Sequence, residues 1–168
     1  MPKTIVTHPP ASPPTGAKKR FRVLFVCLGN ACRSPMAEAI ARREARDIIE
    51  PLSAGLIPLG KIPELTIESL LQNGYSAQGL ASKPIDSDIW DSADVVINLS
   101  GKFKENTWHD HRKVEDWRVD DPYLGSPTDY QRALSEIEAH VRALATRLRV
   151  RGQHAQKTPH THPHPTKR

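Results

Sequence analysis

The chain is poor in cysteine and has no long apolar run. Only two of its 168 residues are cysteine, Cys27 and Cys32, which excludes a disulfide framework, and their spacing is not that of a zinc-binding pair. No apolar stretch approaches the roughly 20 residues of a transmembrane helix, so no membrane association is predicted. A hydrophilic N-terminus broken by proline predicts no signal peptide. These features favour a reducing, cytoplasmic location.

Acidic residues are missing from both ends of the chain. All 19 Asp and Glu lie within residues 20–150 beside 17 of the 24 Lys and Arg, which gives that segment a net charge of −2. Residues 1–19 and 151–168 hold the other seven basic residues and eight of the 15 prolines. Because these ends cannot bury enough apolar surface to offset the ordering entropy, the sequence predicts one domain between two disordered tails. The pI near 9.4 therefore indicates no specific nucleic-acid partner, and the oligomeric state stays open.

Between the tails, short apolar strands alternate with helical patterns. Strands are predicted at 23–27, 52–54, 95–99 and, more weakly, 114–119; helices are predicted at 34–48, 63–73, 86–90 and from 126 onward. The last helix shows the clearest heptad-like stripe, formed by Tyr130, Leu134, Ile137, Val141, Leu144 and Leu148. Alternating strands and helices predict an α/β fold with a parallel sheet covered on both faces. In such sheets ligands bind beyond the carboxyl ends of the strands.

The segment that follows the first strand carries most of the predicted chemistry. It reads Cys27-Leu28-Gly29-Asn30-Ala31-Cys32-Arg33-Ser34-Pro35. Ser34 and Pro35 predict the N-cap and first residue of a helix. Backbone amides and the helix dipole would then favour both a bound anion and a cysteine thiolate, while Arg33 could hold two phosphate oxygens at once. No Gly-Lys-Ser/Thr follows, which excludes a Walker loop. The pattern predicts a nucleophilic Cys27 in a phosphate cradle.

Residues 23–38 resemble the signature of the low-molecular-weight protein tyrosine phosphatases. The resemblance continues in Ser53-Ala54-Gly55 and Asp121-Pro122-Tyr123 and covers about residues 21–149. It implies four parallel strands in the order 2-1-3-4, a phosphocysteine intermediate and a phosphorylated protein or small aryl phosphate as substrate. No cofactor and no metal are required. It also implies that Asp121 is the general acid, although Asp120 is adjacent to it.

Several residues have predicted supporting roles. The Ser34 hydroxyl could donate to the Cys27 sulfur, Asn30 tolerates left-handed backbone geometry and could brace the loop against Ser53, and Gly29 permits close backbone approach. The predicted substrate site also includes the remaining residues of this loop and Tyr123, which follows Asp121-Pro122 and could form a wall for the substrate ring. These residues are Leu28, Ala31, Cys32 and Tyr123. Cys32 could also form a disulfide with an oxidised Cys27.

Two departures from the family pattern affect the substrate prediction. Ala31 stands where phosphotyrosine-specific members usually carry a larger aliphatic residue, and Leu56-Ile57-Pro58-Leu59 lacks the common aromatic residue. Lys83 matches the family's basic residue, whereas the histidine often near it is missing. Aryl phosphate is the leading substrate and phosphoarginine the main alternative. An arsenate reductase is disfavoured because no cysteine follows Cys32 in the sequence, and a non-catalytic phosphopeptide-binding module would not need Asp121.

Overall fold

A parallel sheet of four strands forms the centre of the structure, a computed structural model that describes residues 19–157. The elements in chain order are β1 Phe21–Cys27, α1 Arg33–Glu44, β2 Ile49–Gly55, α2 Glu64–Gln72, α3 Ser87–Ser92, β3 Val95–Asn98, α4 Lys104–Thr107, β4 Val114–Asp116 and α5 Pro127–Gln156. The strand order is β2-β1-β3-β4 with every neighbouring pair parallel. The predicted α/β class and strand order are confirmed.

Strand β1 lies in the middle of the sheet because its side chains are apolar on both faces. Val23 and Phe25 pack into the larger core, together with α1 and α5, whereas Leu24 and Val26 pack into a smaller core. In the smaller core they meet Val96 and the partly buried side chains of α3. The carboxyl end of β1 is thus held from both sides, and it delivers Cys27 to the edge of the sheet where parallel folds bind their ligands.

The start of α1 differs from the prediction. The helix begins at Arg33 with Cys32 as its N-cap residue, and that residue makes no side-chain capping hydrogen bond. Ser34, predicted as the N-cap, lies inside the first turn and directs its hydroxyl to Cys27 instead. The helix also ends at Glu44 rather than near residue 48, because the chain turns through Ala45 into β2, where Ile49 pairs with Phe21. The Ser34 side chain at the start of α1 therefore contacts Cys27 and does not cap the helix.

Two other elements depart from the sequence prediction. The short helix α4 was not predicted, and β4 ends at Asp116 instead of Val119. Beyond Asp116 the chain leaves the sheet, and the Val119 carbonyl accepts a hydrogen bond from Arg33. By contrast, the predicted cap of α3 is present, since the Asp86 carboxylate accepts from the Ile89 amide at 2.7 Å. Strand β4 was predicted too long because Val119 is apolar and buried like a strand residue, although it lies outside the sheet.

Helix α5 continues into the segment that was predicted to be a tail. A reciprocal capping box between Ser126 and Asp129 starts it, and it ends at Gln156, six residues past the predicted domain boundary. The Arg151 guanidinium lies over the Phe21 ring, 5.1 Å from its centroid. This contact gives the last turns a packing partner that composition alone does not reveal. The rest of the predicted tails, residues 1–18 and 158–168, lies outside the described residues. None of the helices within 19–157 has the length and apolarity to cross a membrane.

Candidate active site

The loop after β1 is fastened to the segment that follows β2. Leu56, Ile57 and Leu59 donate their backbone amides to the carbonyls of Cys27, Leu28 and Gly29 at 3.1, 2.8 and 2.8 Å. Because these carbonyls accept hydrogen bonds from the segment after β2, they point toward that segment and away from the cavity at Cys27. The loop between Cys27 and α1 is thus held by backbone hydrogen bonds to residues 56–59.

Asn30 braces this loop from inside. Its backbone has a positive φ of 45°, which asparagine tolerates better than most residues. The side chain is fully buried; its Oδ1 accepts from the Lys83 amide at 2.9 Å, and its Nδ2 donates to Ser34 Oγ at 2.8 Å and to Ser53 Oγ at 3.0 Å. The Asn30 side chain therefore accepts one hydrogen bond through its oxygen and donates two through its nitrogen. The predicted approach of Asn30 to Ser53 is present.

Gly55 leaves room for the Asn30 backbone. A Cβ atom built on Gly55 would lie 2.8 Å from the Asn30 amide nitrogen, closer than real Cβ contacts allow. The Gly55 amide donates to the Lys83 carbonyl at 2.9 Å. Glycine is needed here because two backbone segments pass each other in contact, and any side chain would push the loop out of place.

The Cys27 sulfur lies 3.0 Å from the Ser34 hydroxyl. Cys27 is only 2% exposed, yet it lines the cavity described below. Since Ser34 Oγ already accepts a hydrogen bond from Asn30, its own proton is available to the sulfur. A hydroxyl donor at this distance stabilises a thiolate relative to a thiol.

Arg33 is buried and oriented by two partners. It is 4% exposed; its Nη1 donates to the Val119 carbonyl at 3.2 Å, and its Nη2 lies 3.1 Å from Asp121 Oδ2. Its Nε has no hydrogen-bond partner within residues 19–157. Nε and Nη2 lie on one edge of the guanidinium, which is the edge that binds two oxygens of a phosphate. A buried donor left over on that edge indicates an anion-binding group.

Asp121 and Tyr123 approach the same space from the opposite side. Asp121 Oδ1 accepts from the Tyr123 amide at 3.1 Å, so the carboxylate is held between that amide and Arg33. Asp120 does not line this cavity; it lies in a neighbouring depression with Asp129, Arg132 and Glu136. The geometry thus brings together Cys27, Arg33 and Asp121, and it separates Asp120 from them.

A cavity of about 200 Å³ joins these groups. Its lining residues are Cys27, Leu28, Gly29, Ala31, Cys32, Arg33, Ile57, Leu59, Asp121 and Tyr123. Ile57 and Leu59 were not predicted as site residues; the signal was their apolar character at the place where the family resemblance puts an aromatic residue. Leu124 lies outside this lining and is 86% exposed. Within residues 19–157, no cluster of three or more His, Cys, Asp or Glu side chains could hold a metal ion.

Cys32 lies in the same loop but has a different partner. Its sulfur lies 3.6 Å from the hydroxyl of the buried Tyr130 on α5, to which it donates. Burial raises the pKa of the Cys32 thiol, although its hydrogen bonds with Thr66 and Tyr130 act in the opposite direction. At neutral pH Cys32 is therefore a thiol that contacts Tyr130 in the core.

A protective role for Cys32 under oxidation stays a prediction, because the Cys32 sulfur has Tyr130 as its partner and not Cys27. Peroxide would convert the Cys27 thiolate to a sulfenic acid, and the Cys32 thiol would displace water to form a disulfide. We expect peroxide to inactivate the wild type reversibly, with dithiothreitol restoring activity, while Cys32→Ser becomes permanently inactive sooner. Mass spectrometry of Cys27 distinguishes disulfide from sulfinic acid. Equal recovery of both proteins would leave Cys32 with a packing role.

The fold and site together define a class: parallel α/β proteins in which a cysteine at the end of the first strand and an arginine at the start of the next helix line one cavity. Comparison with known proteins gives the family. Residues 22–154 match the family model of the low molecular weight phosphotyrosine protein phosphatases, and the chain belongs to this family.

The relatives include proteins with different activities. Arsenate reductase 1 of Bacillus cereus is 34% identical over 125 residues, which cover 73% of this chain and 92% of that protein. The protein-arginine-phosphatase of Bacillus subtilis is 32% identical over 146 residues, which cover 76% of this chain and 96% of that protein. The solved YwlE arginine phosphatase from Geobacillus stearothermophilus superimposes with a TM-score of 0.72 at 26% identity and covers 86% of this chain and 99% of its own. The names of these relatives divide between arsenate reduction and the dephosphorylation of arginine.

Proposed function

We propose that this protein is a cysteine-dependent phosphatase that hydrolyses phosphotyrosine or other aryl phosphates through a phosphocysteine intermediate. The observation that carries this proposal is the convergence of Cys27, Arg33 and Asp121 on one cavity. A module that only binds phosphopeptides would need the first two groups, but it would have no use for a carboxylate at the mouth.

In the first step, the Cys27 thiolate attacks phosphorus and the bond to the leaving oxygen breaks. Protonated Asp121 gives its proton to that oxygen, so the alcohol or phenol departs neutral. The Arg33 guanidinium and the N-terminus of α1 neutralise the phosphoryl oxygens. The products of this step are phosphocysteine and the free hydroxyl compound.

In the second step, a water molecule attacks the phosphocysteine. Asp121, now a carboxylate, takes a proton from the water while the sulfur–phosphorus bond breaks. The departing sulfur carries the negative charge, and the Ser34 hydroxyl at 3.0 Å donates to it. Phosphate is released and the Cys27 thiolate is regenerated without a metal or cofactor.

The walls of the cavity support an aryl substrate. Ile57, Leu59 and the half-exposed Tyr123 give an apolar surface on which a ring can pack. The apolar surface of the cavity is small because Ala31 contributes only a Cβ atom to it. This small residue supports phosphoarginine as a second candidate, as do the arginine phosphatases among the relatives.

Arsenate reduction has weaker support. It requires two electrons from protein thiols, and the sequence contains only Cys27 and Cys32. The Cys32 thiol is buried against Tyr130, so no exposed thiol is available to pass the oxidation on to an external reductant. Because arsenate reductases are among the relatives, arsenate is one of the substrates to be tested.

Rates on four substrates test the proposal. Purified protein is assayed in EDTA with a simple aryl phosphate, a phosphotyrosine peptide, a phosphoarginine peptide, and arsenate plus a thiol reductant. We expect the highest kcat/KM with the aryl or phosphotyrosine substrate. A preference for phosphoarginine would transfer the mechanism to P–N cleavage, and no turnover of any substrate would leave a binding module.

Asp121→Asn should slow hydrolysis by about 10²- to 10⁴-fold for substrates with poor leaving groups, because the leaving oxygen then departs as an anion. The loss should be much smaller for p-nitrophenyl phosphate, whose leaving group needs little protonation. Asp120→Asn is the matched control and should change both rates little, since Asp120 does not line the cavity. Initial rates across a series of aryl phosphates give the comparison. The reverse ranking of the two variants would move the general acid to Asp120.

A further inference from the structure

Behind the loop, and outside the cavity, lies a carboxylate that the mechanism does not use. Glu38 is in the second turn of α1 and is 4% exposed. Its Oε1 lies 3.3 Å from Ser53 Oγ, and its Oε2 lies 2.8 Å from Arg42 Nη2. Burial raises the pKa of Glu38, while Arg42 and Lys83 favour its ionised form. A buried acid is costly to keep, so its contacts need an explanation.

The hydrogen bonds between Glu38 and Cys27 have a fixed direction. The Lys83 amide can only donate, so it fixes the Asn30 side chain with Oδ1 toward Lys83 and Nδ2 toward the two serines. Nδ2 then donates to both Ser34 Oγ and Ser53 Oγ. Each hydroxyl has one proton left, which it must donate elsewhere. Ser53 donates to Glu38 at 3.3 Å. Ser34 has two acceptors within reach, the Cys27 sulfur at 3.0 Å and the Ala54 carbonyl at 3.4 Å, and the sulfur is the nearer of the two.

Glu38 is the acceptor that keeps Ser53 in this arrangement. Without it, no carboxylate would hold the Ser53 hydroxyl in place, and Asn30 Nδ2 would lose one of its two fixed acceptors. The Asn30 side chain would then be held by the Lys83 amide and Ser34 alone, so Ser34 would be held less firmly. The consequence reaches Cys27 through Ser34, although Glu38 itself touches neither the sulfur nor the substrate cavity.

Arg42 extends the arrangement to a second segment. Its Nη1 donates to the Gln78 carbonyl at 2.7 Å. Four residues later, the Ser82 hydroxyl donates to the Gly29 carbonyl at 2.9 Å, and Lys83 follows with its amide on Asn30. The segment 78–83 is thus fixed at one end by Arg42 and at the other by the phosphate loop.

We propose that Glu38, paired with Arg42, is a positioning residue that holds Ser53 as an acceptor for Asn30 and so, together with the Lys83 amide, maintains the arrangement that directs the Ser34 proton to Cys27. This inference rests on the proposed function, since it takes the Cys27 thiolate as the nucleophile. It explains why a carboxylate is buried beside a catalytic loop that binds anions. Arg42 also offsets the negative charge of Glu38, which would otherwise oppose formation of the Cys27 thiolate.

Charge and hydrogen-bond direction make opposite predictions for Cys27. If the charge of Glu38 dominates, its removal should make the thiolate easier to form. If direction dominates, its removal should make the thiolate harder to form, because Ser34 loses its orientation. Ser53→Ala breaks the same chain without touching any charge. The two explanations can therefore be separated by the reactivity of Cys27 alone.

The test measures the rate at which iodoacetamide alkylates Cys27, followed by mass spectrometry at several pH values. We expect Glu38→Ala and Ser53→Ala each to slow alkylation at pH 6 by about fivefold, the equivalent of one hydrogen bond. Glu38→Gln keeps an acceptor oxygen for Ser53 and should slow it less than twofold. The Glu38→Ala/Ser53→Ala double variant should be no slower than the slower single variant, because both changes break one chain. The parallel measurement of kcat should follow the same ranking.

Glu44→Gln is the matched control on the same helix. Its carboxylate contacts Tyr75 and Arg142 and does not reach the loop, so alkylation should be unchanged. Should Glu38→Ala not fold, Ser53→Ala gives the same reading with the loss of one oxygen. Unchanged or faster alkylation in Glu38→Ala or in Ser53→Ala, or additive effects in the double variant, would overturn the inference. A wild type that is alkylated as expected yet hydrolyses nothing would instead remove the proposed function.

Discussion

Replacing Cys27 with serine should abolish turnover, with a loss on the order of 10⁴-fold or more in kcat, as found when the nucleophile of a covalent mechanism is removed. A serine hydroxyl at this position is not ionised at neutral pH, and the hydrogen bond from Ser34 cannot compensate for that. The cradle itself would remain, because Arg33 and the loop contacts do not depend on the sulfur. The measurement is the initial rate with an aryl phosphate, together with calorimetric titration of inorganic phosphate.

Cys32→Ser is the matched control for this change. It replaces a cysteine with serine five residues away in the same loop, where the side chain points to Tyr130 instead of Ser34. Its kcat should fall far less than that of Cys27→Ser, and phosphate should bind to both variants. If Cys27→Ser kept full activity, the phosphocysteine mechanism would be wrong and another nucleophile would have to be found in the cavity.

The central part of the fold could be predicted because its signals are local. The run Val23–Val26 is apolar on both faces, so it had to be a central strand, and the stripe on α5 has a clear helical period. The start of α1 was placed wrongly for a different reason. Ser34-Pro35 has the typical residues of a helix start, but the serine hydroxyl is used by Cys27, and the helix begins without a side-chain cap.

Part of the candidate site could likewise be predicted from the sequence, and part of it could not. Cys27 and Arg33 are six residues apart in one loop, so their proximity follows from the sequence. Asp121 came from the family resemblance, and only the structure brings it within 3.1 Å of Arg33. Ile57, Leu59 and Glu38 were missed because their contacts cross between separate segments. Glu38 in particular looks like an ordinary exposed helix residue in an i,i+4 pair with Arg42, and only the position of β2 buries it against Ser53.

The extension of α5 to Gln156 shows the limit of composition. Residues 151–156 are mostly polar and were assigned to a tail, but the helix continues through them to Gln156. Arg151 gives these turns a packing contact by lying over Phe21 at the start of β1. Long polar side chains can cover apolar surface with their stems, a contribution that hydropathy scales do not count.

Arg33→Ala should lower kcat/KM by about 10³-fold or more, in the range seen when an arginine that stabilises a phosphoryl transition state is removed. The structure supports a loss in both binding and catalysis. The unpartnered Nε and the adjacent Nη2 form the edge that would hold two phosphoryl oxygens, and Nη2 also orients Asp121.

Arg33→Lys separates charge from geometry. Lysine keeps the positive charge but loses the planar fork and one of the two contacts to Val119 and Asp121, so it should recover only a small part of the lost rate. Arg132→Ala, which removes a surface arginine paired with Asp129 outside the cavity, is the control and should stay near the wild-type rate. The measurements are kcat, KM and the inhibition constant of inorganic phosphate. A lysine variant close to wild type would mean that Arg33 acts only as a point charge, and an alanine variant within tenfold would mean that the backbone amides and the α1 N-terminus carry the phosphate without it.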